Sequence, residues 1–268
     1  DLEHEVASIL YRQERHGFLF DIKKAMVLQC ELEGKLSNIL SVFTEKYPPK
    51  VEKRISEKTG KPLKDKVTEF NPASRQMIAE VLLEAGVKLT EKTEKGSWII
   101  DETTLNGIDH PDAKLFVEYM LLQKRQSQID SWIKAMKDDD RVHGRVITNG
   151  AVTGRMTHHS PNMAQVPSCS SPYGAECREL WTVPKQFKLV GADASGLELR
   201  MLAHYMQDAE YTDTVVNGDI HTKNQLAAGL TARNQAKTFI YAFFLGAGDG
   251  KIGQIVGGST KDGRDLKR

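Results

Sequence analysis

Apolar side chains near the start of the chain repeat at one-turn intervals: Val6, Ile9 and Leu10 with Gln13, and then, beyond Gly17-Phe18-Leu19-Phe20-Asp21, Ala25, Leu28, Leu32, Leu36 and Leu40. A stripe at that period buries one face of a helix, so the pattern predicts two packed helices. At Phe70-Asn71-Pro72 the start signals of a further helix coincide, Asn71 as N-cap and Pro72 at the first helical position, ahead of Met77, Ile78, Val81 and Leu82 and a stop at Gly86. A longer helix is expected from about Asp112 to Met136. The texture then changes. Val142-His143-Gly144-Arg145-Val146-Ile147 alternates as a strand does, and Phe187-Lys188-Leu189-Val190-Gly191-Ala192-Asp193 reads as a buried strand ending in a carboxylate. Helical patterns return at Leu197–Met206, His221–Ala228 and Ala232–Leu245. The expected class is α+β, with a mostly helical first half.

Between the second and third of these helices the periodicity fails. Residues 45–66 carry eight Lys/Arg against four acids, +4 over 22 residues, with Pro48-Pro49 and Gly60-Lys61-Pro62 as breakers, which predicts an exposed basic loop. The whole chain has no such bias: 37 Lys+Arg face 36 Asp+Glu in 268 residues, with 40% hydrophobic and 27% charged positions. That balance excludes disorder and collagen-like structure and suits one large or two modest domains. No run approaches the ~18 apolar residues of a membrane helix. Cys30, Cys169 and Cys177 form no C-x-x-C, which fits a reducing compartment better than a disulfide scaffold or a zinc site. The acidic start Asp1-Leu2-Glu3-His4-Glu5 lacks the basic region of a signal peptide, and the cytoplasm is the expected location. The first residue is not Met, and Lys267-Arg268 follow a Gly-rich charged stretch, so a piece of something longer is expected.

Five places could carry chemistry. Asp193, where a strand gives way to Ala194-Ser195-Gly196 and a helix, suits an oxygen ligand of a hard divalent ion, or equally a helix N-cap. Arg233, Lys237 and Tyr241 fall at i, i+4 and i+8 beside the apolar stripe Ala236, Ile240, Phe244. Two cations and a phenol in line suit a triphosphate with a sugar or base; the alternative is the solvated face of an amphipathic helix. Gly154-Arg155 and Pro161-Asn162-x-x-Gln165-x-Pro167 offer side chains that read nucleic-acid backbones and minor-groove acceptors, or a polar structural loop. His221 contacts a phosphate or simply starts a helix, and Glu198 stands as a carboxylate or an exposed helix acid.

These segments do not look independent. D-A-S-G-L-E-L-R (193–200), G-D-I-H-T-K-N-Q (218–225) and R-N-Q-A-K-T-F-I-Y (233–241), in this order, resemble the family A DNA polymerases, in particular the replicative polymerases of podovirus-type bacteriophages. Q-E-R-H-G-F-L-F-D (13–21), F-N-P-A-S-R (70–75), N-G-A-V-T-G-R-M-T-H (149–158), P-N-M-A-Q-V-P (161–167) and S-P-Y-G (171–174) extend the resemblance over nearly the whole chain.

The resemblance implies a right-hand polymerase fold: a helical thumb region at 1–140 with its 45–66 loop, a partial antiparallel-sheet palm at 141–204 and the start of helical fingers at 205–268. It implies two Mg²⁺ ions, with Asp193 and the Ala194 carbonyl as ligands and Asp193 and Lys237 as the catalytic pair. Arg233, Lys237 and His221 resemble the triphosphate contacts, Tyr241 the residue beside the sugar, and Glu198 the steric gate against a ribose 2′-hydroxyl. Arg155, Gln165 and Asn162 resemble primer–template contacts. Segment 45–66 lies near where phage relatives carry a thioredoxin-binding processivity loop but is much shorter, so a DNA-facing loop is expected rather than thioredoxin binding. Two departures stand out: Leu245-Gly246 replaces the usual Tyr-Gly, leaving Phe244 to serve beside the template base, and no His-Asp-Glu motif with the second metal carboxylate follows residue 241. The N-terminal 3′–5′ exonuclease domain is absent too. The expectation is therefore the N-terminal fragment of a split or truncated, phage-encoded DNA polymerase, inactive until a C-terminal polymerase fragment completes it, with primer–template DNA and dNTPs as its other partners. A non-catalytic primer–template-binding module is the alternative; it has no chemical need for Asp193, Glu198, Arg233, Lys237 and Tyr241 together. Glu198 disfavours a single-subunit RNA polymerase relative.

Overall fold

In the computed structural model, which describes residues 2–55 and 60–268, the chain begins with helix α1 (Leu2–His16), strand β1 (Phe18–Phe20) and helix α2 (Ile22–Lys46). Asp21 caps α2 by accepting from the Lys24 amide. The face of α2 that is buried carries Ala25, Leu28, Leu32, Leu36, Ile39 and Phe43; the drift of a 3.6-residue period leaves Leu40 outside. Helix α1 buries no residue, so the expected packing of two helices gives way to polar attachment. Arg145 Nε donates to the Glu14 carboxylate at 2.9 Å, and the His143 ring bonds the Glu14 carbonyl at 2.6 Å.

The segment expected as a loop at 45–66 is in part a hairpin. Strands β2 (Lys50–Ile55) and β3 (Pro62–Thr68) pair antiparallel, with a bulge between Glu52 and Arg54, and are exposed at every position but Thr68. With both faces wet there is no in–out alternation for a sequence to display; the hydrogen-bonded ladder itself makes the strands. Residues 56–59 of that segment lie outside the described residues. Helix α3 (Arg75–Glu84) also starts later than expected. Ser74 is its cap, whereas Asn71 closes a tight turn by accepting from the Ala73 amide at 2.9 Å, which places Pro72 in the turn.

Helices α4 (Glu102–Asn106) and α5 (Pro111–Ala135) complete the core, in which α5 lies along α2. Phe43 and Phe116 stack with centroids 4.9 Å apart, and Tyr47, Phe70 and Tyr119 pack around them. Full burial of one such ring contributes about 1.5–3 kcal/mol. Asp112 is buried at the start of α5, gripped by the Lys46 ammonium and by the Tyr47 hydroxyl at 2.5 Å. Burial works to raise its carboxyl pKa, but the bonds from Lys46 and Tyr47 outweigh it and leave the group below its ordinary range.

Beyond α5 come β4 (Arg141–Val142), β5 (Arg145–Ile147), β6 (Thr157–His159), a 3₁₀ turn at Met163–Gln165, α6 (Gly174–Glu179) and β7 (Trp181–Thr182). The single strand expected over 142–147 is two, interrupted at Gly144, where a Cβ would collide with the Met163 side chain. β4 and β7 flank β1 in an antiparallel sheet, with Phe18 opposite Val142 and Phe20 opposite Trp181, and β5 pairs with β6. That sheet ties the first residues to those near 141 and 181, so residues on both sides of 140 share one unit, Asp1–Leu189.

The strand expected at 187–193, which was to carry Asp193 in the palm sheet, does not form. Among the described residues nothing pairs with it, and Phe187, Leu189 and Val190 are 70%, 62% and 87% exposed. A ladder needs a neighbour to take its N–H and C=O groups, and an apolar run alone does not supply one. The second unit, Val190–Arg268, is helical: α7 (Leu197–Met206), α8 (Ala209–Asn217), α9 (Ile220–Ala227), α10 (Arg233–Phe244), α11 (Asp249–Ile255) and α12 (Thr260–Leu266). Here α7 packs on α8, α9 on α10 and α11 on α12. Among the described residues no helix is long and apolar enough to cross a membrane.

Candidate functional site

Helix α10 sorts its residues by chemistry. Ala236 and Phe239 are buried and Ile240 half-buried, while Arg233 and Lys237 stand exposed one turn apart, with half-buried Tyr241 a turn further on. The Lys237 ammonium has no ion-pair partner among the described residues. Helix α9 adds His221, whose ring lies 6.1 Å from that of Tyr241. Among the described residues, His221 Nδ1 is buried without a hydrogen-bond partner, as are the Tyr211 hydroxyl and Asn224 Nδ2.

The electrostatics of this face are legible in His221. Burial pushes its pKa below the ordinary histidine value, the charges of Arg233 and Lys237 push it further down, and Asp219 pulls the other way. The ring is thus neutral at neutral pH and sits in a positive field, the field that attracts an anion. Arg233 itself is engaged: Nε and Nη2 donate to the two oxygens of Asp219 at 2.7 and 3.0 Å. The same carboxylate caps α9, accepting from the His221 and Thr222 amides and from Thr222 Oγ1 at 2.7 Å. Arg233, with help from Thr222, holds the Asp219 carboxyl well below the usual carboxylate range.

Asp193 is exposed and makes no hydrogen bond or ion pair among the described residues. It is not the cap of α7. That place belongs to Gly196, at φ +60°, in a left-handed turn held by Arg200 Nε donating to the Ser195 carbonyl at 2.9 Å. The cap alternative therefore falls, and an exposed carboxylate is left beside exposed Ala194. No group of three or more candidate ligands gathers among the described residues. Asp193 and Ala194 thus fit a Mg²⁺ ion as a partial ligand set, of the kind completed by substrate phosphates, water and one further carboxylate. Glu198 is exposed in the first turn of α7.

Three of the expected residues lie in the first unit. Arg155 is exposed beside a turn closed by the Ala151 amide and the Arg155 carbonyl at 3.1 Å. Asn162 uses its carboxamide oxygen to cap the 3₁₀ turn, accepting from the Ala164 amide at 3.0 Å. Gln165 ends that turn with its side chain exposed and its carbonyl accepting from Gln128 Nε2 at 3.1 Å. The structure brings together His221, Arg233, Lys237 and Tyr241. Sequence reasoning missed Asp219, Tyr211 and Asn224. An Asp before a helix signals a cap, but nothing in spacing shows that its carboxylate also reaches Arg233, fourteen residues on.

Known proteins show the same arrangement of segments. A family model for DNA polymerase family A matches residues 41–267. The chain belongs to that family. It is 39% identical, over 339 aligned residues, to the DNA-directed DNA polymerase of Escherichia phage T7 and to that of Enterobacteria phage T3; each match takes in 100% of this chain and 48% of the relative. It is 29% identical over 265 residues to DNA polymerase I of Helicobacter pylori strain J99, covering 96% of this chain and 27% of that protein. The chain therefore spans about half the length of the phage relatives it matches. Among solved structures, the POL domain of Pol1 from M. smegmatis, in complex with DNA primer-template and dNTP, superposes with a TM-score of 0.77 at 20% identity, over 96% of this chain and 44% of that one. The fold is thus the α+β fold of a family A polymerase domain.

Proposed function

We propose that the chain takes part in template-directed DNA synthesis, the transfer of a nucleotidyl group from a dNTP to a primer 3′-hydroxyl. The observation that carries the reading is the cationic face of α10, where unpartnered Lys237, Arg233 and neutral His221 share one positive field beside Tyr241. Its relatives are named DNA-directed DNA polymerases, and the solved domain that it resembles holds primer–template and dNTP. In this reading Arg233, Lys237 and His221 bind the triphosphate, and Lys237 stabilises the charge that develops on the departing pyrophosphate. Tyr241 lies against the sugar, and Glu198 excludes a ribose 2′-hydroxyl. Arg155, Gln165 and Asn162 contact the primer–template minor groove, whose acceptors recur at every base pair and so tolerate any sequence.

Residues 1–140 serve as thumb, with the β2–β3 hairpin facing DNA phosphates; 141–204 belong to the palm and 205–268 to the fingers. Asp193 and the Ala194 carbonyl would hold Mg²⁺, which when bound neutralises phosphate charge and lowers the pKa of the primer hydroxyl. The second metal carboxylate would come from a His-Asp-Glu segment outside these 268 residues. The work is done in the cytoplasm of a bacterial host. Primer extension with Mg²⁺ and four dNTPs tests the reading: extension is expected when the chain is mixed with a fragment carrying the His-Asp-Glu motif, and not from the chain alone, and Asp193→Ala should abolish it. A chain that binds primer–template while neither lane extends is a non-catalytic DNA-binding module; extension by the pure chain alone contradicts the need for a second carboxylate.

A further inference from the structure

We propose that Asp219 is a built-in counter-anion of the phosphate site, holding the Arg233 guanidinium while the site is empty and yielding it to a phosphate oxygen on binding, so that it weakens the grip on triphosphate and on the pyrophosphate product. The inference rests on the triphosphate reading of α10. The bidentate fork between Arg233 and Asp219, at 2.7 and 3.0 Å, is the geometry that a guanidinium offers to a phosphate, so carboxylate and phosphate compete for the same donors. Asp219 cannot withdraw far. Two backbone amides of α9 and the Thr222 hydroxyl fix its oxygens, so on exchange the guanidinium moves and the carboxylate stays as a fixed negative charge beside the incoming anion.

The pair is open to exchange. Its two side chains are 48% and 45% exposed, and a half-exposed ion pair in water holds only weakly. Lys237, by contrast, has no ion-pair partner among the described residues to leave. With His221 neutral, and Arg233 and Asp219 cancelling, the empty face carries a net charge near that of Lys237 alone. Lys237 therefore meets the polyanion first and Arg233 joins by exchange. An enzyme that must release pyrophosphate after every addition gains from a site whose second cation has somewhere to return.

Asparagine caps a helix as well as aspartate does, so Asp219→Asn removes the charge and keeps the α9 cap. Isothermal titration of the full chain with inorganic tripolyphosphate at fixed salt should give a dissociation constant about tenfold lower for Asp219→Asn than for the parent. The matched change Asp265→Asn on α12, equal in net charge, should leave binding unchanged, and far-UV circular dichroism should coincide for all three. A gain of affinity is not what loss of structure produces. Equal or weaker binding by a folded Asp219→Asn, with the parent binding normally, overturns the inference alone. If neither binds tripolyphosphate, the triphosphate reading falls with it. Should Asp219→Asn lose helix, Asp219→Ser keeps a capping oxygen without the charge and decides by the same comparison.

Discussion

In residues 1–189 the rings of Phe43 and Phe116 stack at 4.9 Å, and Trp132, Leu32, Ile78, Ile100 and Leu122 are fully buried around the same core. In 190–268 the buried apolar side chains are Leu199, Ala203, Ile220, Ala236, Phe239 and Ile252, while Val190, Tyr205, Leu226 and Leu245 are more than 70% exposed. The helices of that second unit are also linked by exposed ion pairs: Arg233 to Asp219, Lys223 to Glu210, and Arg264 and Lys267 to Asp249. Apolar burial is the larger stabiliser of the first unit, and the hydrophobic effect does not itself depend on protonation. The second also carries exposed ion pairs, which salt and protons address.

All three tryptophans, Trp98, Trp132 and Trp181, lie in the first unit, so indole fluorescence reports that unit alone while far-UV circular dichroism reports both. The largest effect is expected from Phe116→Ala, which empties the centre of the aromatic cluster and should cost about 3–5 kcal/mol by denaturant titration followed by tryptophan fluorescence. Phe239→Ala should leave that fluorescence transition in place and reduce the helical signal instead; a shared loss in both would break the division into two differently stabilised regions.

Next comes Tyr47→Phe, which removes the hydroxyl that Asp112 accepts from at 2.5 Å and leaves a buried carboxylate short of a partner. A cost of about 1.5–3 kcal/mol is expected, as for a hydrogen bond to a charged group. Acid should act on Asp112 in the first unit and on exposed carboxyls in the second. Hydrogen bonds from Arg233, from Lys267 and Arg264, and from Ser259 hold the carboxyls of Asp219, Asp249 and Asp262 below their ordinary range. The folded state then binds fewer protons than the unfolded one, so this stabilisation is complete above roughly pH 4 and fades as pH falls through the native values. Helical signal and tryptophan fluorescence should both fall below about pH 4, because Asp112 in the first unit loses its stabilisation in the same window as the carboxyls of the second; fluorescence unmoved by acid would contradict this. The smallest effect should come from Tyr211→Phe. Its hydroxyl is buried without a partner, so removal should change stability by less than about 0.5 kcal/mol, or raise it.

The pattern of apolar residues showed the helices well because one face of each is buried. The expected Leu197–Met206 is α7 to the residue, and α9 and α10 begin within one residue of their expected starts. Strands fared worse, for two opposite reasons. The β2–β3 hairpin has no buried face and so no alternation to read, whereas 187–193 has the apolar run of a strand but no partner among the described residues. At the site, Arg233, Lys237 and Tyr241 were visible because a single helix sets their spacing. The grip of Asp219 on Arg233 spans two helices, and no local period encodes it.

The central claim is that 190–268 holds the nucleotide's phosphates while 1–189 holds DNA. A dNTP carrying an aryl azide on its γ-phosphate, photolysed with the chain and primer–template and mapped by peptide mass, tests it directly. Labelling is expected on peptides of α9 and α10, between His221 and Tyr241, suppressed by excess tripolyphosphate and by Lys237→Ala. Labelling confined to 1–189, or insensitive to tripolyphosphate, would contradict it.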